Sequence, residues 1–259
     1  MNSGKNGLKI TFIGTGTSQG VPVINCACDV CLSDNKRNKR LRTSITIQSE
    51  QTNLLVDATT DLRQQLLNNP LPTIDAVLFT HAHADHILGI DDLRPFNYQL
   101  QSRIPAYGNA HTMDRIEHIF DYAFGDDDIL PGLPNLKAIT IEDSFKINEL
   151  EVLPLELWHG NSLVLGYRIN NFAYCTDVNR IPDHTYRNLR DLDVLVLDAL
   201  RQRPHPTHFS LAESIAVAKE IRAGETYLIH MSHDIDHEKD GIILPESIYF
   251  AYDGFVLEV

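Results

Sequence analysis

The chain has 259 residues, 43% of them hydrophobic and 22% charged, a composition that excludes a disordered or low-complexity protein. Its formal net charge of −13 with histidine neutral repels a long polyanion, which argues against an extended nucleic-acid groove but not against a small phosphorylated molecule. No apolar run reaches the roughly 18 residues of a transmembrane helix, and Met1 to Leu8 lacks a signal peptide's apolar centre, so the expectation is one cytoplasmic domain, 1–259, with no membrane contact.

Leu8 to Ile13 alternates as a strand does and runs into the loop Gly14-Thr15-Gly16-Thr17-Ser18. Thr43 to Gln48 and Asn53 to Asp57 read as a hairpin, and Leu62 to Asn68 as a helix stopped before Pro70. Ile74 to Thr80 is a continuous apolar run, the pattern of a strand buried on both faces. Asp85 to Leu93 and Met113 to Phe124 carry apolar residues at helical spacing. Strands are expected at Lys137 to Ile141, Glu151 to Leu157, Leu163 to Asn170, Phe172 to Cys175, Val194 to Leu197 and Tyr227 to His230. Ala212 to Arg222 reads as a helix, and Phe255 to Val259 as a segment closing a sheet edge. Strands and helices interleave with no linker or short repeat, the pattern of an α/β fold.

Chemistry concentrates first at Thr80-His81-Ala82-His83-Ala84-Asp85-His86. Residues two apart on an extended segment point the same way, so His81 and His83 can reach one metal ion. The chain then turns into a helix, from which Asp85 and His86 can reach a second. Neutral imidazole suits Zn, Mn or Fe, and a carboxylate adds a hard oxygen ligand. The bland reading of the same residues is a polar, histidine-rich loop.

A second cluster is Asn25-Cys26-Ala27-Cys28-Asp29-Val30-Cys31. Three thiolates this close need one more ligand for a tetrahedral zinc site, and the expected cytoplasmic setting favours metal over disulfides. The alternative is three reduced small hydrophobes, which suits a charged neighbourhood badly. Cys175 reads as a buried strand residue. The basic run from Lys36 to Arg42 reads as solvated surface, although Arg42 and the group Arg201, Arg203 and His205 could instead contact a substrate phosphate.

His81-x-His83-x-Asp85-His86 after a buried strand resembles the motif of the metallo-β-lactamase superfamily. The resemblance implies a four-layer αββα sandwich with two divalent ions, Mn or Zn, between the edges of its sheets. It further implies that His81, His83 and His159 hold one metal, that Asp85, His86 and His230 hold the other, and that Asp177 bridges them. Each downstream residue follows an apolar run: His159 after Val152 to Leu157, Asp177 after Phe172 to Thr176, His230 after Tyr227 to Ile229. Asp57, after Leu54-Leu55-Val56, resembles the superfamily's buried supporting carboxylate, which orients ligating imidazoles through their free N–H.

The spacing of Cys26, Cys28 and Cys31 resembles the phosphoribosyl cyclic phosphodiesterase branch of the superfamily, which acts in phosphonate breakdown. That branch completes a structural zinc site with a His three positions beyond the last active-site His, here His233. His86-Ile87-Leu88-Gly89-Ile90 is similar to the phosphodiesterase pattern after the last motif histidine, not to the H-x-G-G of thioesterase members. Thr207-His208-Phe209-Ser210 resembles the segment carrying a proton donor, and Gly14-Thr15-Gly16 and Gly20-Val21-Pro22 also match. The implied activity is hydrolysis of a small phosphodiester, cyclic ones included, by two-metal hydroxide attack, with Asp85 and Asp177 in the metal site and His208 as general acid. A homodimer is compatible with these features. Three rival readings stay open: a tRNA 3′-processing nuclease, a thioester or lactam hydrolase, and a non-catalytic protein of the quinone-cofactor biosynthesis type. The intact His-x-His pair favours an enzyme over the last.

Overall fold

The computed structural model describes residues 7–125 and 132–259; of the stretch Met1 to Leu8, the residues before Gly7 lie outside them. The strands in chain order are β1 (Lys9–Gly14), β2 (Ser44–Gln48), β3 (Asn53–Val56), β4 (Ala76–Leu78), β5 (Ile104–Gly108), β6 (Leu136–Thr140), β7 (Phe145–Ile147), β8 (Leu150–His159), β9 (Ser162–Ile169), β10 (Phe172–Cys175), β11 (Val194–Asp198), β12 (Glu225–Ile229), β13 (Ile248–Phe250) and β14 (Val256–Glu258). The α-helices are α1 (Asp29–Leu32), α2 (Leu62–Asn68), α3 (Ala84–Ile87), α4 (Arg94–Leu100), α5 (Ala110–Ile119), α6 (Asp183–Asn188) and α7 (Leu211–Ile221).

Two seven-stranded sheets form, in the orders β14-β1-β2-β3-β4-β5-β6 and β13-β12-β11-β10-β9-β8-β7. Each is antiparallel on one side, from β14 through β1 and β2 to β3 in one sheet and from β7 to β10 in the other, and parallel on the other side, from β3 to β6 and from β10 to β13. The inner faces meet over a common core that includes Phe12, Ile45, Leu54 and Leu78 from the first sheet and Val152, Tyr167, Tyr174 and Val196 from the second. Val77, Phe79 and Ile104 on the outer face of the first sheet pack with Leu62, Met113 and Ile116 of α2 and α5. Leu195, Leu197 and Leu228 on the outer face of the second pack with Leu211 and Val217 of α7. Helix, sheet, sheet and helix are the four layers of the expected αββα sandwich. Among the described residues, no helix is long and apolar enough to cross a membrane.

The helix expected over Asp85 to Leu93 is broken into α3 and a 3₁₀ turn, Ile90–Leu93. Gly89 lies so close to the loop after β3 that an added Cβ would stand 1.9 Å from the Thr59 carbonyl oxygen. Its amide donates to the Ala58 carbonyl at 2.9 Å, so the chain is pinned to that loop where a continuous helix would lift it away. The helix expected from Met113 begins earlier, at Ala110, because the Asn109 side chain accepts from the Thr112 amide and caps it. It ends at Ile119, and a 3₁₀ turn, Asp121–Ala123, follows. The strands β5, β7 and β13 and the helices α1, α4 and α6 were not foreseen.

Gly89→Ala is expected to lower stability by about 1–3 kcal/mol through overpacking against Thr59, read as a lower midpoint in urea unfolding. An unchanged midpoint would show that the chain can leave Thr59 without cost.

Candidate metal centre and active site

Parallel strands of both sheets bring their C-terminal ends to one edge of the sandwich, where α/β sheets gather their ligand-binding groups. Asp57 follows β3, His81 follows β4, Asp177 follows β10, Asp198 ends β11 and His230 follows β12. Asp57, Asp177 and His230 have left-handed backbones, with φ of 63°, 52° and 58°. Non-glycine residues adopt this region at a cost, and its recurrence at three strand ends marks a site the surrounding fold enforces.

The structure brings the predicted residues together. Donor atoms of His81, His83, His159 and Asp177 lie within 4.8 Å of one another, as do those of Asp85, His86, Asp177 and His230. Asp177 belongs to both groups and faces both: its Oδ2 lies 3.9 Å from His81 Nε2, and its Oδ1 lies 3.4 Å from the Nε2 atoms of His86 and His230. Asp85 Oδ2 stands 3.2 Å from His86 Nε2 and 3.9 Å from His230 Nε2.

The imidazoles are oriented from behind. His86 Nδ1 donates to Asp57 Oδ2 at 2.7 Å. Asp57 also accepts from the Thr80 amide and hydroxyl, each at 2.8 Å. Because the Thr80 hydroxyl gives its proton to Asp57, it accepts from His81 Nδ1 at 3.0 Å. One carboxylate thus fixes two rings, one directly and one through Thr80, as expected for Asp57. His159 Nδ1 donates to the Thr207 carbonyl at 2.8 Å. In each ring the hydrogen bond at Nδ1 leaves the Nε2 lone pair for a cation.

Asp198 plays the corresponding part in the second sheet, and the sequence reading missed it. Its Oδ2 accepts from His208 Nδ1 at 2.8 Å and from the Val178 amide at 3.1 Å, and its Oδ1 lies 3.5 Å from His230 Nδ1. The signal was present: Asp198 closes the apolar run Val194 to Leu197 just as Asp57 closes Leu54 to Val56. His208 itself is buried, with Nε2 4.0 Å from Asp177 Oδ2 and its ring stacked on His230 at 4.7 Å between centroids.

This donor set fits a pair of divalent cations. The Nε2 atoms of His81, His86 and His230 are buried and have no hydrogen-bond partner, a costly state for polar atoms unless a cation takes their lone pairs. The charge balance agrees. Burial opposes charge on His86 and His230, yet the surrounding carboxylates, Asp177 foremost, draw both rings toward protonation, His230 to about 10. Burial likewise opposes the Asp177 carboxylate, but His230, His86 and His81 hold it well below the usual range. Carboxylates that demand positive charge on buried imidazoles are suited to a metal ion, which supplies that charge without protons.

The cysteine cluster is assembled as well. His233 Nδ1 lies 3.2 Å from Cys26 Sγ and 3.5 Å from both Cys28 Sγ and Cys31 Sγ, and no disulfide forms. A tetrahedral zinc, with bonds of about 2.3 Å to sulfur and 2.0 Å to nitrogen, sets those atoms about 3.5 Å apart. The short helix α1 presents the group, with Cys28 as its N-cap and Cys31 within it. Cys175 is fully buried, as expected, and burial pushes its thiol up to about 12.

The basic run departs from its reading as solvated surface at Arg40, which is 1% exposed. Its guanidinium donates to the carbonyls of Ser232 and Ile235, each at 2.9 Å, and to Asn38 Oδ1 at 3.1 Å. Arg42 is also occupied, pairing with Asp61 at 2.9 Å and donating to the Ser18 carbonyl at 3.0 Å. Arg201, Arg203 and His205 line a cavity of about 260 Å³ beside His233, and the His205 ring lies 5.2 Å from that of His208.

The model for the beta-lactamase superfamily domain matches residues 52–231, a span that holds every residue of the two-cation cluster. The chain belongs to the metallo-β-lactamase superfamily. Within it, a crystal structure described as that of a new diphosphatase from the PhnP family is 38% identical, with a TM-score of 0.92 over 98% of this chain and 97% of that one. An octanoyltransferase of Porphyromonas gingivalis is 35% identical over 252 residues, which are 95% of this chain but 51% of that protein. The chain spans about half the length of this relative. Coenzyme PQQ synthesis protein B of Methylobacterium radiotolerans is 25% identical over 222 residues, 74% of this chain and 72% of that protein.

Asp57→Asn and Asp198→Asn are each expected to weaken active-site metal affinity by about 10–100-fold, the usual effect of losing a carboxylate behind a ligating imidazole. Competition with a chromophoric chelator measures it; unaltered affinity in both variants would reduce these carboxylates to supports of the fold.

Proposed function

We propose that this protein is a metal-dependent phosphohydrolase that cleaves a small phosphodiester. The observation that carries the reading is a buried His208–Asp198 pair set against a cluster fit for two cations. His81, His83 and His159 would hold one ion and Asp85, His86 and His230 the other, with Asp177 shared by both groups. When bound, two such ions supply Lewis acidity, lowering the pKa of water and neutralising charge on phosphoryl oxygens. Hydrolysis joins a water oxygen to phosphorus and breaks the bond to the departing oxygen. Asp198 accepts a hydrogen bond from His208 Nδ1 and favours the imidazolium form; the ring's Nε2–H gives the proton that the departing alkoxide takes, leaving a neutral ring, a role worth roughly 10²–10⁴-fold.

A second reading is favoured by the relative described as a diphosphatase: the bond broken is then a phosphoric anhydride and the leaving group a phosphate. Other classes have less support. A net charge of −13 opposes a long RNA. The cleft offers no thiolate for acyl transfer, since Cys175 is buried and its thiol is pushed up to about 12. Assay of a cyclic ribose phosphodiester, a dinucleoside diphosphate, a phosphomonoester and a thioester with the metal-loaded protein separates these readings. Turnover of the thioester alone would overturn the proposal.

The cysteine knuckle is proposed as a structural zinc site, making three metal ions per chain by elemental analysis. Cys31→Ser should then depress the thermal midpoint more than the rate per folded molecule, because structural zinc contributes folding free energy directly. Two ions in the wild type and an unchanged midpoint in the variant would refute it.

His208→Ala is expected to slow a cyclic ribose diester by about 10²-fold or more, because an alkoxide needs a proton to leave. A nitrophenyl diester, whose phenolate departs unaided, should be slowed much less, with metal content unchanged. Equal losses would remove the acid role, and loss of an ion would make His208 a ligand.

A further inference from the structure

Next to the hairpin turn that carries His159, a cleft of about 640 Å³ opens between the N-terminus of α5 and the β8–β9 hairpin. It shares its walls with the site. His159 pairs with Ser162 across the hairpin turn, and Ser162 and Leu163 line the cleft. Leu165, also in the wall, donates its amide to the carbonyl of Thr80, next to His81. The volume is that of a small-molecule site and has room for a ring-bearing group.

Its chemistry is the opposite of that around Arg201 and Arg203. Ile141, Pro154, Leu163 and Leu165 give it apolar walls, Glu142 and Glu156 are its acidic groups, and Asn109, His111, Asn161 and Ser162 are its other polar groups. Glu156 also meets His184 Nε2 at 3.0 Å. Among the described residues no lysine or arginine lines the cleft. Leu163 is 37% exposed although it sits in a strand beside the metal ligands, where a large apolar side chain gains by being covered. A second phosphate placed here would meet two carboxylates and hydrocarbon, opposed only by the first turn of α5 and its His111.

Resting on the phosphohydrolase reading, we propose that this cleft is the specificity subsite for the substituent that stays on phosphorus. It takes an uncharged, ring-bearing group and rejects an anionic one. Leu163 is the residue that covers the ring.

The test holds the leaving group constant. Methyl, phenyl and carboxymethyl 4-nitrophenyl phosphates release the same nitrophenolate and differ in the retained substituent alone. With the metal-loaded protein, kcat/KM for the phenyl ester, corrected for its uncatalysed rate, should exceed that for the methyl ester by about ten-fold or more. The carboxymethyl ester should fall below both. Leu163→Glu should bring the phenyl-to-methyl ratio to within about three-fold of unity, whereas Ile242→Glu, at an 81% exposed position far from the cleft, should keep the wild-type ratio. Calorimetric binding of phenylphosphonate against methylphosphonate gives the same comparison without turnover. A ratio near unity in the wild type, or an unchanged ratio in Leu163→Glu, overturns the subsite. Binding that prefers phenylphosphonate with no hydrolysis of any ester keeps the subsite and overturns the phosphohydrolase reading instead.

Discussion

The site depends on one buried carboxylate. Asp57 is fully buried, and burial alone pushes its pKa up, against the pull of His86 and Thr80. An unpaired carboxylate in that position would cost several kcal/mol. Asp57 therefore organises its surroundings: it takes the Thr80 amide and hydroxyl and the His86 ring, and through Thr80 it holds His81. This ties the end of β3 to the turn after β4 and to α3. The left-handed backbone at Asp57 is the strain accepted to aim the carboxylate inward, and the hydrogen bonds it collects are what make that conformation tolerable.

The second sheet repeats the device with Asp198, which sits behind His208 and His230. Two half-sites, each a carboxylate backing two imidazoles, then face one another across Asp177. Such a centre works only if the sheets cannot slide, and two hydrogen bonds between them lie at this edge. The Tyr167 hydroxyl donates to the Phe79 carbonyl at 2.6 Å, and the Leu165 amide to the Thr80 carbonyl at 2.9 Å. Both acceptors precede His81 directly, so the register of the sandwich is set where the ligands need it.

Sequence patterns revealed the strands that end in ligands, because a strand buried on both faces is a continuous apolar run and a polar residue closing it stands out. With the resemblance to the superfamily as guide, that pattern located Asp57, Asp177 and His230. It passed over Asp198, whose run was recognised but stopped one residue short at Leu197. Elements that lack such runs were invisible. Ile104–Gly108 carries a proline and a glycine; Phe145–Ile147 and Ile248–Phe250 are three residues long; Asp183–Asn188 is polar throughout. Arg94–Leu100 opens with Pro95 inside its first turn and is joined to the preceding 3₁₀ turn without a loop, so tertiary packing decides its start. Arg40 was unreadable for another reason: nothing local distinguishes a buried arginine from its solvated neighbours, and its carbonyl partners lie nearly two hundred residues away.

Those partners explain why the cysteine knuckle and the active site are one mechanical unit. His230 and His233 stand at the ends of a four-residue strap, one ring in the two-cation cluster and the other among the thiolates. Between them the Met231 amide donates to the Thr15 carbonyl at 3.0 Å, and the Met231 carbonyl accepts from Thr17 at 3.2 Å. The Arg40 guanidinium clamps the Ser232 carbonyl from inside. Arg40 remains charged despite burial, which lowers its pKa only to about 10 with Asp253 and Asp236 nearby. A buried cation with carbonyl acceptors resists displacement, since moving the strap would strand it without partners. The strap therefore carries at each end a donor of a candidate metal cluster and is held in the middle by Arg40. That rigidity lets His230 hold a left-handed backbone while presenting Nε2 to Asp177 and Asp85.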